Sequence, residues 1–98
     1  MAFAVRIVNH QHNRMLNICD ADLVGKTVKK SEFTLNISKS YFAERIVDQS
    51  EAEVLLRKSS IINMVGKETI ALSVGLGIGS SKGVKEIDGI PFLLVFKF

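Results

Sequence analysis

The spacing of apolar residues near the N-terminus predicts a β-hairpin. Phe3, Val5 and Ile7 occupy every second position, which is typical of a strand with one buried face. A polar stretch at residues 9–13 interrupts this pattern, and the apolar run at residues 15–19 returns as a second strand. We therefore predict two antiparallel strands within residues 3–19, joined by the polar loop.

A second alternation predicts the clearest strand of the chain. Phe33, Leu35 and Ile37 alternate with polar residues, as expected for a strand with one buried and one solvated face. The segment between the hairpin and this strand, residues 20–31, is polar and is predicted to be a loop. It contains a turn at Gly25 and a short strand at residues 27–29.

Helical spacing of apolar residues begins after residue 50. Ser50 and Glu53 form the S-x-x-E pattern of a capping box, in which the hydroxyl accepts from the third helical amide and the carboxylate reaches back to the backbone amide of the capping residue. A helix is predicted over residues 51–65, with Gly66 as its C-terminal cap. A shorter helix is predicted over residues 67–74, and the two would form a helical hairpin.

The remaining residues complete the predicted fold. Glycines recur in residues 75–83 and indicate a loop, and two closing strands are predicted at residues 84–87 and 92–98 around a turn at residues 88–91. The pattern predicts one small α+β domain over residues 1–98. Its sheet is mainly antiparallel and consists of the N-terminal hairpin, a central strand and the C-terminal strands, with the helical hairpin packed on it.

Composition restricts the class of protein. Thirteen Lys and Arg against ten Asp and Glu give a net charge of +3, which permits nucleic-acid contact without indicating it. The single cysteine, Cys19, excludes an internal disulfide bond and favours a reducing compartment. Because no long apolar window and no leader pattern is present, we expect a cytoplasmic protein that does not engage a membrane.

Two glycine motifs resemble nucleotide-binding loops but lack essential residues. Gly25-Lys26-Thr27 resembles the end of a phosphate-binding loop, yet the position of its first glycine holds Asp20, whose carboxylate would repel phosphate. The glycines of residues 75–79 lack the third glycine of a dinucleotide fingerprint, and they follow a predicted helix rather than a strand. We therefore expect no cofactor.

The histidines and the cysteine do not form a recognisable site. His10 and His12 lie in a predicted turn without nearby ligating residues, so we interpret them as solvated and expect no metal. A catalytic cysteine needs a base and positive surroundings, whereas Asp20 and Asp22 would raise the pKa of Cys19. We interpret Cys19 as a small core residue and assign no catalytic residue.

Basic residues between the hairpin and the first predicted helix suggest a phosphate-binding patch. Lys26, Lys29 and Lys30 lie in one segment, and Lys39 and Arg45 follow the next strand. Lys and Arg that follow one surface can contact a phosphate backbone. These five residues are the candidate RNA contacts, and solvated loop charges are the alternative interpretation.

The run from Cys19 to Thr27 resembles the hallmark of the archaeal domain of unknown function 424 family, a C-D-x-x-L-x-G-K-T string after an N-terminal hairpin. The resemblance extends to Leu35-Asn36-Ile37-Ser38, Tyr41-Phe42, Val47-Asp48, Ile62-Asn63-Met64-Val65-Gly66 and Gly89-Ile90-Pro91. It implies a cytoplasmic protein of undetermined activity with a role near translation or RNA. Phe92 departs from the family pattern, which commonly has histidine after the proline.

The family positions divide into structural and functional candidates. Gly25, Gly66 and Gly89 suit turns with positive φ. Polar residues on loops held by a rigid scaffold are better functional candidates than core positions. On this basis the candidate functional cluster consists of Asp20, Lys26, Thr27 and Asn63.

Three functions remain open from the sequence. The first is a noncatalytic RNA-associated accessory protein linked to translation, which contacts phosphates through its basic segment. The second is a protein-interaction module, including a homodimer, that uses the final strand because this strand is apolar on both faces. The third is an enzyme, which would require Asp20, Lys26 and Thr27 to converge with His10 or His12.

Overall fold

A six-stranded sheet forms the centre of this computed structural model, which describes residues 1–97 but not the side chains of Lys30 and Phe33. Its strands are β1 (Ala2–His10), β2 (Asn13–Asp20), β5 (Arg45–Asp48), β6 (Ile61–Val65), β7 (Lys85–Ile87) and β8 (Ile90–Phe96). Their spatial order is β5-β1-β2-β6-β8-β7. The pair β2–β6 is parallel and the other neighbouring pairs are antiparallel.

The predicted hairpins at both ends of the chain are confirmed. β1 and β2 are joined by Gln11 and His12, which have φ angles of 47° and 71°. β7 and β8 are joined by Asp88 and Gly89, with φ angles of 55° and 78°. Two successive residues with positive φ match the right-handed twist of the flanking strands, so these short turns also set the strand register.

Two helices cover one face of the sheet. α2 (Gln49–Lys58) precedes β6, and α3 (Lys67–Gly75) follows it. Alternate residues of the central strands point to these helices and form the larger core together with them. Its buried members are Phe3, Val5, Leu16, Ile18, Val47, Ala52, Leu55, Leu56, Ile62, Met64, Ile70 and Leu93.

The helix predicted over residues 51–65 is wrong in its second half. α2 ends at Lys58, because the Ser59 hydroxyl donates to the Leu55 carbonyl at 2.7 Å and the Ser59 backbone turns extended, with ψ of 145°. Residues 61–65 form the interior strand β6 instead. Apart from Asn63, this interior strand is apolar on both faces and therefore lacks alternation, so its apolar run also matched helical spacing.

This correction changes the predicted helical hairpin and both predicted caps. α2 and α3 are separated by β6, so they lie side by side without forming a hairpin. Asp48, rather than Ser50, caps α2, and its carboxylate accepts from the Glu51 amide at 2.9 Å. Gly66 precedes α3 as its N-cap with φ of 109°, rather than ending α2.

A two-stranded ribbon and a short helix cover part of the other face. The ribbon pairs β3 (Thr27–Lys30) with β4 (Phe33–Asn36), and α1 (Lys39–Phe42) follows it. The strand predicted as central therefore lies outside the main sheet, because its only partner is β3 within the described residues. A second core lies beneath the ribbon and consists of Ala4, Cys19, Val28, Ile37, Phe42 and Val65.

These elements confirm the predicted α+β fold, with a mainly antiparallel sheet and helices packed on it. The short strand at residues 27–29, the second helix and the closing strands are also present. The ribbon and α1 are too short to cover the whole of their face. The sheet beyond them is left partly exposed, and this surface contains the candidate site.

Candidate functional site

Asp20 anchors the start of α3. One carboxylate oxygen accepts from the Thr69 amide at 2.8 Å and the Thr69 hydroxyl at 2.7 Å, and the other accepts from the Glu68 amide at 3.2 Å. The free amides and the partial positive charge of a helix N-terminus favour such a carboxylate. Asp20 thus joins the end of β2 to α3, a structural role that the sequence interpretation missed.

Gly66 makes the approach of Asp20 possible. A Cβ atom at residue 66 would lie 2.3 Å from Cγ of Asp20, and the φ angle of 109° is one that side chains with a Cβ rarely adopt. The sequence signal for this contact was the glycine followed by Thr69 at the third helical position. That signal was missed because Gly66 was assigned as the C-terminal cap of the preceding predicted helix, although the start of α3 was predicted correctly.

Asn63 occupies a different part of the molecule from Asp20. It lies in β6 opposite Asn17 of β2. The side-chain Nδ2 of Asn63 donates to Oδ1 of Asn17 at 2.9 Å, and Nδ2 of Asn17 donates to the backbone carbonyl of Tyr41 at 3.2 Å. Because Asn17 is buried, both bonds satisfy its side chain, and together they link β6 to α1. We call this pair of hydrogen bonds, from Asn63 to Asn17 and from Asn17 to Tyr41, the amide relay.

Thr27 begins the ribbon and Lys26 precedes it, and neither side chain forms a hydrogen bond or an ion pair with Asp20 or Asn63 within the described residues. Both residues are exposed, and the Thr27 hydroxyl donates to Oδ1 of Asn36 at 3.0 Å. His10 and His12 are exposed at the end of the first hairpin opposite Asp20. At about 3.3 Å per residue, the length of β2 separates them from Asp20 by roughly 20 Å.

The candidate cluster therefore does not converge in one pocket. Asp20 serves α3, Thr27 pairs within the ribbon and Asn63 belongs to the amide relay. Within the described residues, no hydrogen bond or ion pair joins Asp20 to Lys26 or Thr27. Across residues 1–97, no group of three or more His, Cys, Asp or Glu is placed to hold a metal ion.

The basic candidates lie on two separate surfaces. Lys26, Lys29 and Lys39 are exposed on or beside the ribbon. Arg45 lies in the edge strand β5, where its guanidinium forms an ion pair with Glu51. The side chain of Lys30 lies outside the described residues. The ribbon lysines alone form a candidate phosphate-contact surface.

Cys19 is a buried core residue, as the sequence interpretation proposed. It is fully buried beneath the ribbon. Burial first, and then the charges of Asp20 and Asp22, raises the pKa of its thiol to about 12. A neutral, inaccessible thiol is not a nucleophile.

A groove of about 520 Å³ lies between the ribbon, α1 and the exposed part of the sheet, and we call it the sheet groove. Its lining residues are Leu35, Asn36, Ser38, Tyr41, Phe42, Asn63, Met64, Val65, Gly83, Lys85, Phe92, Leu93 and Leu94. Three of the large hydrophobic residues among them are exposed: Leu35 at 43%, Tyr41 at 46% and Leu94 at 51%. Such a cluster of exposed apolar side chains is typical of a binding surface.

The edge of β8 beside this groove carries no paired strand at Leu94, and we call it the open edge; Gly83, in the groove lining, lies against the neighbouring Leu93. Gly66 donates to the Pro91 carbonyl and Lys97 donates to the Ser60 carbonyl, so the backbone groups of odd-numbered β8 residues face β6. By alternation, those of Phe92 and Leu94 face away from β6. Lys85, the first residue of β7, pairs with Phe92. No strand within residues 1–97 therefore pairs with this side of Leu94.

The fold and the groove define a small α+β protein with one sheet face packed against two helices and one partly exposed sheet face. A family model described as a protein of unknown function, DUF424, matches residues 8–98, so the chain belongs to this family, as the C-D-x-x-L-x-G-K-T string indicated.

One solved structure shows the same fold. The crystal structure of an uncharacterized conserved protein from Methanopyrus kandleri is similar with a TM-score of 0.80 and 18% identity, over 100% of this chain and 95% of that chain. At this identity the likeness shows the fold alone. A comparison with curated proteins gives no match. Within the described residues, no helix is long and apolar enough to cross a membrane.

Proposed function

We propose that this protein is a noncatalytic protein-interaction module that binds an apolar segment of a partner in the sheet groove. The observation that carries the proposal is the position of Leu94. Its side chain is 51% exposed in an apolar groove, and its backbone lies on the open edge of β8. Open edges with apolar side chains bind further strands unless they are covered.

The chemistry of the side chains that line the groove supports a binding role rather than a catalytic one. Its lining side chains are mainly apolar, and the polar ones are amides, a hydroxyl, a phenol and one lysine. This set supplies hydrogen bonds, and it contains no carboxylate, imidazole or thiol among the lining residues that the structure describes.

The proposal can be tested by selecting ligands from a phage library of random eight-residue peptides. Peptides enriched on the wild-type protein should bind Leu94→Lys at least about tenfold more weakly, because a central apolar anchor is replaced by a charge. Val54→Lys is the matched control, since Val54 is exposed to a similar extent on α2. Equal binding to all three proteins would contradict the proposal.

RNA binding by the ribbon is a second candidate function, favoured by the exposure of Lys26, Lys29 and Lys39 on or beside one element. It agrees with the role near translation or RNA that the family resemblance implied. Lys29→Glu should weaken binding of labelled transfer RNA in fluorescence anisotropy, with a steep dependence on salt. The exposed Lys58 on α2 provides the control Lys58→Glu. Equal affinity of both variants would rule out this surface.

A further inference from the structure

We infer that the segment bound in the sheet groove is an extended, acidic strand of another protein that pairs with β8 at Leu94. This inference rests on the proposed function and adds the conformation and chemistry of the ligand. Three features carry it: the open backbone edge, the fixed orientation of Asn63 and the charge of Lys85.

The open edge selects an extended conformation. The N–H and C=O of Leu94 point along the sheet, at the spacing of a strand ladder. An extended segment satisfies both groups at once, whereas a helix has no free backbone groups along its length to offer them. The exposed Leu94 side chain would then pack against alternate side chains of the added strand.

The amide relay fixes which atom of Asn63 faces the ligand. The Tyr41 carbonyl can only accept a hydrogen bond, so the Asn17 atom that faces it must be the amide nitrogen. Oδ1 of Asn17 therefore faces Asn63 and accepts a hydrogen bond from Nδ2 of Asn63. This orientation leaves Oδ1 of Asn63 as an acceptor in the groove lining.

A fixed acceptor in an apolar groove selects a hydrogen-bond donor in the ligand. Among the described residues, no group donates a hydrogen bond to Oδ1 of Asn63. A backbone N–H or a hydroxyl of the added segment would satisfy it. Few, well-placed polar groups in apolar surroundings are what give such sites their specificity.

The charge of the groove selects an acidic segment. Lys85 is the single charged residue among the lining residues of this groove in the described structure. It is the first residue of β7 and pairs with Phe92, so it lies directly beside the open edge. A carboxylate of the added strand near Leu94 would complement it, whereas a basic segment would be repelled.

A second copy of this chain fits the edge less well. β7 already occupies the edge as far as Phe92. In an antiparallel copy centred on Leu94, residue 96 of the copy would lie opposite Phe92 and collide with Lys85. Each copy would also carry the same net charge of +3. A shorter segment of another protein can pair at Leu94 and continue over the groove.

The peptide selection described above also tests this inference. Wild-type protein should enrich acidic peptides with apolar residues at alternate positions. Selection on Lys85→Glu should shift the preference to basic peptides, while Lys58→Glu, the same charge change on α2, should leave it acidic. An unchanged consensus on Lys85→Glu would overturn the inference, and the proposed function would stand if the peptides still required Leu94.

The relay is tested with an enriched peptide by calorimetry. Asn63→Leu should weaken binding about tenfold, the effect of about one lost hydrogen bond to a buried acceptor. Asn36→Leu is the control, because this residue also lines the groove but its Oδ1 already accepts from Thr27. Equal affinity for the two variants would overturn the role of Asn63.

Self-association is distinguished by sedimentation. We expect a monomer, since an antiparallel copy centred on Leu94 would meet β7 at Phe92 and both copies carry a net charge of +3. A dimer that Leu94→Lys dissociates would make the second copy the occupant and overturn the inference. If the selection yields no peptide whose binding depends on Leu94, and the protein also sediments as a monomer, the proposed function itself would be contradicted.

Discussion

Asp20 and Gly66 form a contact in which a side chain from one element replaces the missing cap of another. Gly66 has no side chain with which to cap α3, and the carboxylate of Asp20 accepts from the first-turn amides in its place. The contact requires both residues, one for its acceptor oxygens and the other for its lack of a Cβ atom. It therefore couples the order of α3 to the end of β2.

Asp20→Asn should destabilise the protein by about 1–2 kcal/mol, because it removes the charge at the helix N-terminus and one acceptor oxygen. Urea unfolding followed by circular dichroism measures this change. Asp22→Asn is the control, since Asp22 is exposed and forms no hydrogen bond with the described residues. Equal stabilities of the two variants would contradict the capping role.

Gly66→Ala should cost more than about 3 kcal/mol, since strained φ and overlap with Asp20 act together. Gly25→Ala separates the two effects. Gly25 also has a positive φ, of 94°, but a Cβ atom at this position would have no neighbouring atom within 4 Å. Its substitution should cost about 1 kcal/mol in the same urea experiment. A smaller cost at Gly66 than at Gly25 would be inconsistent with the close approach.

Cys19 should react with an aromatic disulfide reagent only when the protein unfolds. Its pKa is raised from 9.0 to about 12 in the folded protein, so the unfolded chain loses the thiol proton first. This group leaves stability unchanged below about pH 9 and lowers it as the pH rises towards 12. Absorbance at pH 8 should show reaction in urea and negligible reaction without it. Rapid reaction of the native protein would contradict the burial.

The elements show which patterns the sequence could and could not reveal. The hairpins at both ends were predictable because their strands alternate and their turns are short and polar. Ile61–Val65 was assigned to a helix because this interior strand, apart from Asn63, is apolar on both faces and does not alternate. The consecutive Ser59 and Ser60 were the available signal of a break. Local signals could not indicate that the strand at Phe33–Asn36 pairs outside the main sheet.

The ribbon is expected to open more readily than the sheet. Its two strands pair with each other, and an isolated two-stranded unit is marginally stable in water. Amide hydrogen exchange should therefore be faster at residues 27–36 than in β2 and β6, which have partners on both sides. Equal protection of the ribbon and the central strands would show that the packing of Val28 holds the ribbon as firmly as the sheet.

The two faces of the main sheet are covered unequally across the molecule. α2 and α3 bury one face, whereas the ribbon and α1 leave the other open around Leu94 and Tyr41. The sequence indicated an apolar final strand in need of cover, which was the part of the groove that could be predicted. The amide relay depends on the β2–β6 register and on α1, so neither Asn17 nor Tyr41 could be identified from local sequence.

The most direct test of the groove as a binding surface is backbone amide NMR of the labelled protein during titration with an enriched peptide. We expect the largest chemical shift changes at Leu94, Asn63 and Lys85, together with Tyr41 of α1. Changes confined to the outer residues of the ribbon or to the exposed face of α2 would contradict binding in the groove.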